Sequence, residues 1–222
     1  SENVPAYCLD VYCDYAGQPI VTNDRSEEGK HAFYRKENGK WVNAGKESPI
    51  YKYFWNYNSR VNTFVSNLIQ KKNGDYLFYD GTWIARITKK GKLVYRTDIG
   101  IALDDEKLKF YSFEYLGDDL AVVQTYSEIG GHHMALVDLK KGERVRKLPD
   151  RLNLLGVRKD GKIYTYERYA MELVILDVES GEMEEHYSLD SLLDTAAGYE
   201  ERDLDANELI SSSGPTYQSW NG

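Results

Sequence analysis

"ALVDLKKGERVRKL", residues 135–148, is a short apolar run that ends on Asp138, turns at Lys141-Gly142-Glu143 and returns as an alternating strand. "LVILDVESGEMEEHYSL", residues 173–189, follows the same plan, with Asp177 in the place of Asp138 and Gly181-Glu182 in the turn. Short apolar or alternating runs bounded by Gly and polar residues read as strands joined by hairpins. Two such hairpins with matching punctuation suggest one supersecondary unit used twice.

Each of these hairpins is preceded by another. "FYSFEYL" reaches Gly117-Asp118-Asp119, then "LAVVQTY" and the loop "SEIGG" lead to "HHMALVDL". "LNLLGVR" reaches Asp160-Gly161, then "KIYTYE" and the loop "RYAME" lead to "LVILDV". Leu120 and Ile163, like Asp138 and Asp177, stand about 40 residues apart, the length of one four-stranded propeller blade. The first half of the chain repeats the scheme more loosely, with turns at Ala16-Gly17, Asn38-Gly39, Asn73-Gly74, Asp80-Gly81 and Lys90-Gly91. An antiparallel sandwich has no reason to repeat at this period. The expectation is an all-β, β-propeller-like fold of about four four-stranded antiparallel blades. Residues 1–190 form the repeat domain, with units at about 5–48, 58–100, 108–149 and 151–189.

The two stretches quoted first resemble blade ends of the YVTN and quinoprotein-like propellers. Those families close a third strand on Asp and turn through Gly-Glu or Gly-Lys into the fourth. The likeness is clearest over residues 110–189, whereas the first two units keep the Gly but lack the Asp. It implies blades and says little about activity. Such propellers usually carry more blades than the four read here.

The tail leaves the repeat. Leu189, Leu192, Leu193, Ala196 and Ala197 recur at helical spacing, which predicts a short helix over 190–198 closed by Gly198. An acidic tail follows at 199–222.

Composition narrows the function. The 222 residues carry 28 Lys plus Arg against 36 Asp plus Glu, and no basic run, so nucleic acid is not an expected partner. No apolar run approaches a membrane span. Cys8 and Cys13 are too far apart along one strand for a disulfide and read as small strand residues. His132 and His133 are neighbours and face opposite ways in a strand, so no shared metal is expected. Nucleophile-elbow, phosphate-loop and zinc-helix motifs are missing, and no cofactor is expected.

Two kinds of site remain. "YKYFWNY", residues 51–57, puts five aromatic rings into seven residues. Read as an extended connector, it lines Tyr51, Tyr53, Trp55 and Tyr57 along one face, where they would stack on sugars or grip a peptide. The competing expectation is that these rings seal the gap between blades. Separately, Asp10, Asp14 and Glu114 fall on expected inner strands, and two acids ~5 to 10 Å apart can flank a glycosidic bond. The leading expectation is a non-enzymatic ligand- or protein-binding, scaffolding domain that takes a protein, peptide or glycan at an aromatic rim. The alternative is a carbohydrate-active, glycosidase-like enzyme using those channel acids. The Tyr-rich, acidic, motif-poor composition suggests an extracytoplasmic, bacterial envelope setting, with a cytoplasmic one as the alternative. With 19 Tyr against 6 Phe, the rings suit half-buried strands and wet surfaces better than a dry core.

Overall fold

The computed structural model describes residues 10–23, 32–57, 65–81, 83–104, 107, 109–127 and 131–189. The helix expected over 190–198, the acidic tail at 199–222, Cys8 and His31 lie outside the described residues.

Among the described residues, four sheets follow one another along the chain, each a four-stranded antiparallel meander in sequence order. The first holds β1 (Asp10–Cys13), β2 (Pro19–Asn23), β3 (Ala32–Glu37) and β4 (Lys40–Asn43). The second holds β5 (Ser66–Gln70), β6 (Tyr76–Tyr79), β7 (Trp83–Ile87) and β8 (Leu93–Asp98). The third holds β9 (Lys109–Gly117), β10 (Leu120–Ser127), β11 (Gly131–Asp138) and β12 (Glu143–Lys147). The fourth holds β13 (Leu152–Val157), β14 (Ile163–Glu167), β15 (Glu172–Leu176) and β16 (Met183–Ser188). This is the blade pattern that the turns in the sequence announce.

The turns repeat in atomic detail. Four hairpins close alike: the amides of Gly17, Gly74, Gly91 and Gly161 donate to the carbonyls of Asp14, Lys71, Thr88 and Arg158, at 2.8 to 3.0 Å. In the two Asp-Gly hairpins the turn is one residue longer, with Gly142 N–H donating to the Asp138 carbonyl and Gly181 N–H to that of Asp177, both at 2.8 Å. Asp177 also caps its turn through Oδ1, which accepts from the amides of Glu179 at 2.8 Å and Ser180 at 3.3 Å. Those two backbone donors hold its carboxyl below the usual range. The Asp is therefore a turn device, and Gly181 (φ 78°) supplies the left-handed residue that the turn needs.

Burial falls from the middle to the outer strand of each sheet. In the third, Ala121, Val122 and Val123 of β10 and Val137 of β11 are fully buried, while all five residues of β12 are exposed. A strand covered on both faces reads as a continuous apolar run, as "LAVV" does. An outer strand keeps solvent on its free edge and is charged, as "ERVRK" is.

The strands fall into two compact units, β1–β8 and β9–β16. In the first, β1 runs beside β5, and Phe33, Ile50, Tyr53, Phe78 and Ile87 share one core. In the second, β9 runs beside β13, and Val122, Met134, Leu152, Ile163 and Val174 share another.

The aromatic stretch departs from its expected form. It is the helix α1 (Pro49–Tyr57), not an extended connector. Ser48 begins it, with its carbonyl accepting from Lys52 N–H at 3.1 Å and its Oγ from Tyr51 N–H at 3.4 Å. Pro49 fits the first turn because its missing N–H has no intrahelical partner there. Ile50, Tyr53, Phe54 and Tyr57 lie at i, i+3, i+4 and i+7, and the first three are buried. The helix period thus sorts the rings by a rule different from the strand period expected for them. A second, one-turn helix, α2 (Ile99–Ala102), follows β8.

Candidate ligand-binding site

The helix splits the four candidate rings. Tyr53 is 0 % exposed and its ring packs edge-on against Phe78, with centroids 5.3 Å apart. Its hydroxyl donates to Oδ2 of the buried Asp80 at 2.5 Å. Burial first, and then the Asp80 carboxylate, push the Tyr53 hydroxyl far above its ordinary pKa. Asp80 also accepts the Trp83 amide through Oδ1 at 2.8 Å, so the carboxylate ties α1 to the turn before β7. Tyr53 is therefore a core residue and does not belong to the presented surface.

The other three rings remain at the surface. Trp55 is 77 % exposed and Tyr57 37 % exposed, while Tyr51 is half-buried. Tyr51 and Trp55 are one helical turn apart and stack, with centroids 6.2 Å apart and planes 12° from parallel. Tyr51 thus supports one face of the indole, and so much exposure leaves broad apolar surface in water.

A cation–ring pair adjoins the helix end. Arg96 of β8 places its guanidinium carbon 4.2 Å over the Trp83 ring and donates from Nη1 to the Tyr57 carbonyl at 3.3 Å. A cation is favourable both over an indole face and at the C-terminus of a helix. Nothing in the sequence pattern singles out Arg96. The i, i+4 spacing of Tyr51 and Trp55 behind Ser48-Pro49 was the signal that would have separated surface rings from core rings.

Two of the candidate acids lie in the first unit and one in the second. Asp10 lies in β1, opposite Thr22, and Asp14 follows that strand in the first unit. Oδ1 of Asp14 accepts from the amides of Ala16 at 2.9 Å and Gln18 at 2.7 Å, so it caps its own turn. Glu114 lies on β9 of the second unit, opposite Val122. Burial raises its carboxyl to about 7. A carboxyl that keeps its proton near neutral pH is of the kind a general acid uses. Among the described residues, no group of three His, Cys, Asp or Glu gathers as a metal site. Cys13 is exposed and free.

No protein-family model matches the chain, and no curated protein does. Solved structures do. A streptogramin B lyase aligns over 85% of this chain and 57% of its own, at 14% identity and a TM-score of 0.51. The WD40 domain of Neurospora crassa Pan2 aligns over 85% and 53%, at 11% identity and 0.50. The extracellular domain of a one-component system from B. thetaiotaomicron aligns over 82% and 24%, at 12% identity and 0.50. The chain spans about half the length of the first two and about a quarter of the third. At these identities the likeness shows the fold, which is of the β-propeller type, as the repeat and the YVTN-like blade ends led one to expect. No helix of the described residues is long and apolar enough to cross a membrane.

Proposed function

We propose that this chain is a propeller-type binding module that takes a saccharide on the Tyr51–Trp55 platform of α1. The observation that carries this is the 77 % exposure of an indole held by a stacked neighbour in a helix whose other face is buried in the core. A flat, fixed, amphipathic ring loses little side-chain entropy on binding and offers a face to the C–H side of a sugar ring. Arg96 donates to the Tyr57 carbonyl at the C-terminal end of the same helix.

The partner is a glycan rather than a nucleic acid, because a chain with a net charge of −8 does not neutralise phosphates. The setting is extracytoplasmic and bacterial, in keeping with the acidic, Tyr-rich composition and with the extracellular domain among the structural likenesses. A glycan array probed with the wild-type chain and with Trp55→Ala tests the proposal. Selective binding that the substitution abolishes is expected. Binding that survives it, or an array with no signal beside a peptide library that gives one, overturns it.

A further inference from the structure

The second unit contains a polar line that no sequence motif announced. Ser127 Oγ lies 3.3 Å from Nε2 of His133, and Nδ1 of His133 lies 2.9 Å from Oδ1 of Asp150. The fold builds this order from the backbone. In the β10–β11 ladder Thr125 pairs with His133 and Ser127 with Gly131, so Ser127 and His133 stand diagonally on one face. After β12 the chain folds back on β11: Leu148 N–H donates to the Met134 carbonyl at 3.0 Å and Arg151 N–H to that of His132 at 3.4 Å. That return seats Asp150 beside the ring of His133.

Proton positions follow from the partners. An ionised carboxylate only accepts, so a neutral His133 carries its proton on Nδ1 and presents the Nε2 lone pair to the Ser127 hydroxyl. Lys147 donates to the other oxygen of Asp150 at 2.8 Å. Burial works to raise the Asp150 carboxyl, but the hydrogen bonds from Lys147 and His133 outweigh it and keep the group ionised. His132 takes no part, since its Nδ1 lies 3.0 Å from Gln124 Nε2 on the opposite face of the strand. Beside this line, the hydroxyl of Thr125 is buried and has no hydrogen-bond partner among the described residues. It lies two residues before Ser127 on the same face of β10, directly opposite His133. A buried hydroxyl without a partner is rare.

We infer that Ser127, His133 and Asp150 form a nucleophile–base–orienter triad that cleaves carboxylic esters. Nucleophile, base and orienting group within hydrogen-bond reach are the signature of covalent catalysis, with the first distance commonly long before substrate binds. Ser127 Oγ attacks the ester carbonyl carbon, and its proton passes to Nε2 of His133. The C–O bond to the alcohol then breaks and the alkoxide takes that proton. Water, deprotonated by the same nitrogen, hydrolyses the acyl-serine to the acid and restores Ser127. His133 and Asp150 are each about a third exposed, so solvent reaches the line, which fits an acyl group presented on a larger molecule. This activity goes beyond the binding proposed for α1, and the two sites sit on different units, so each test stands without the other.

The experiment is treatment of the intact chain with a fluorophosphonate probe, in which Ser127 Oγ would displace fluoride from phosphorus, followed by peptide-level mass mapping. One adduct on Ser127 is expected, absent from Ser127→Ala and formed at least about 100-fold more slowly in His133→Gln. Hydrolysis of p-nitrophenyl acetate should fall by a similar factor in both variants, with unchanged circular dichroism. No adduct on the unsubstituted chain, an adduct at another residue, or a labelling rate indifferent to His133→Gln overturns the inference.

Discussion

The hydroxyl of Tyr53 donates to Asp80 across 2.5 Å with both side chains fully buried, and this bond joins the helix to the second sheet. A hydrogen bond to a buried carboxylate is worth more than a neutral one, and losing a donor leaves the charge under-satisfied. Tyr53→Phe keeps the ring and should destabilise by about 2 kcal/mol in urea unfolding. A loss below about 0.5 kcal/mol would mean the carboxylate draws nothing from that hydroxyl.

Two aromatic residues two positions apart should behave oppositely. Tyr53→Ala empties a buried site and should lower stability by about 3 to 5 kcal/mol. Trp55→Ala removes a ring that is 77 % exposed and should change stability by less than about 1 kcal/mol. Paired unfolding curves check this. A large loss for Trp55→Ala would show that the indole holds the fold and is not displayed for a ligand.

Glu114 gives a pH signature of definite sign. Its carboxyl titrates at about 7 in the folded chain against an ordinary value of 4.5. Between those values the folded protein retains a proton that the unfolded chain has lost, so stability falls as pH rises through this window. The full loss is on the order of 3 kcal/mol. Glu114→Gln should flatten that slope, raising stability near pH 8 and leaving it unchanged near pH 4.5. Equal slopes in the two proteins would place the titration elsewhere.

Gly91 and Gly161 occupy similar turns with different surroundings. Both have positive φ, at 82° and 88°. A Cβ on Gly161 meets nothing within 4 Å, whereas one on Gly91 would lie 2.7 Å from both the Pro49 carbonyl oxygen and Lys52 Cβ. Gly161→Ala should therefore lose about 1 kcal/mol for the left-handed backbone alone. Gly91→Ala should lose at least about 2 kcal/mol, because the start of α1 must shift as well. Equal losses would show that the helix yields freely at that point.

What the sequence made legible depended on how local the signal was. Asp138, Gly142, Asp177 and Gly181 speak through their own turn, where one residue and its neighbours settle the conformation, so the blade plan could be read from them. Tyr51 to Tyr57 could not be sorted the same way. Five rings in seven residues satisfy a strand period and a helix period about equally, and the decision came from Ser48-Pro49, just outside the stretch. Asp14 speaks locally too: one oxygen of its carboxylate accepts from two amides of its own turn, which the sequence spacing does not reveal. The Ser127–His133–Asp150 line was invisible because its order in space comes from a strand ladder and a chain return, and no spacing along the sequence encodes either.

The helix α1 divides its own residues between two constraints. Ile50, Tyr53 and Phe54 must keep shape and volume or the first core loosens, whereas Trp55 shares that backbone and stands mostly in water, stacked on the half-buried Tyr51. The side chain at 55 can therefore be exchanged without renegotiating the fold. A single helical turn thus offers a rigid mount on which a library of altered specificities could be selected, with the propeller sheets as an unchanging handle.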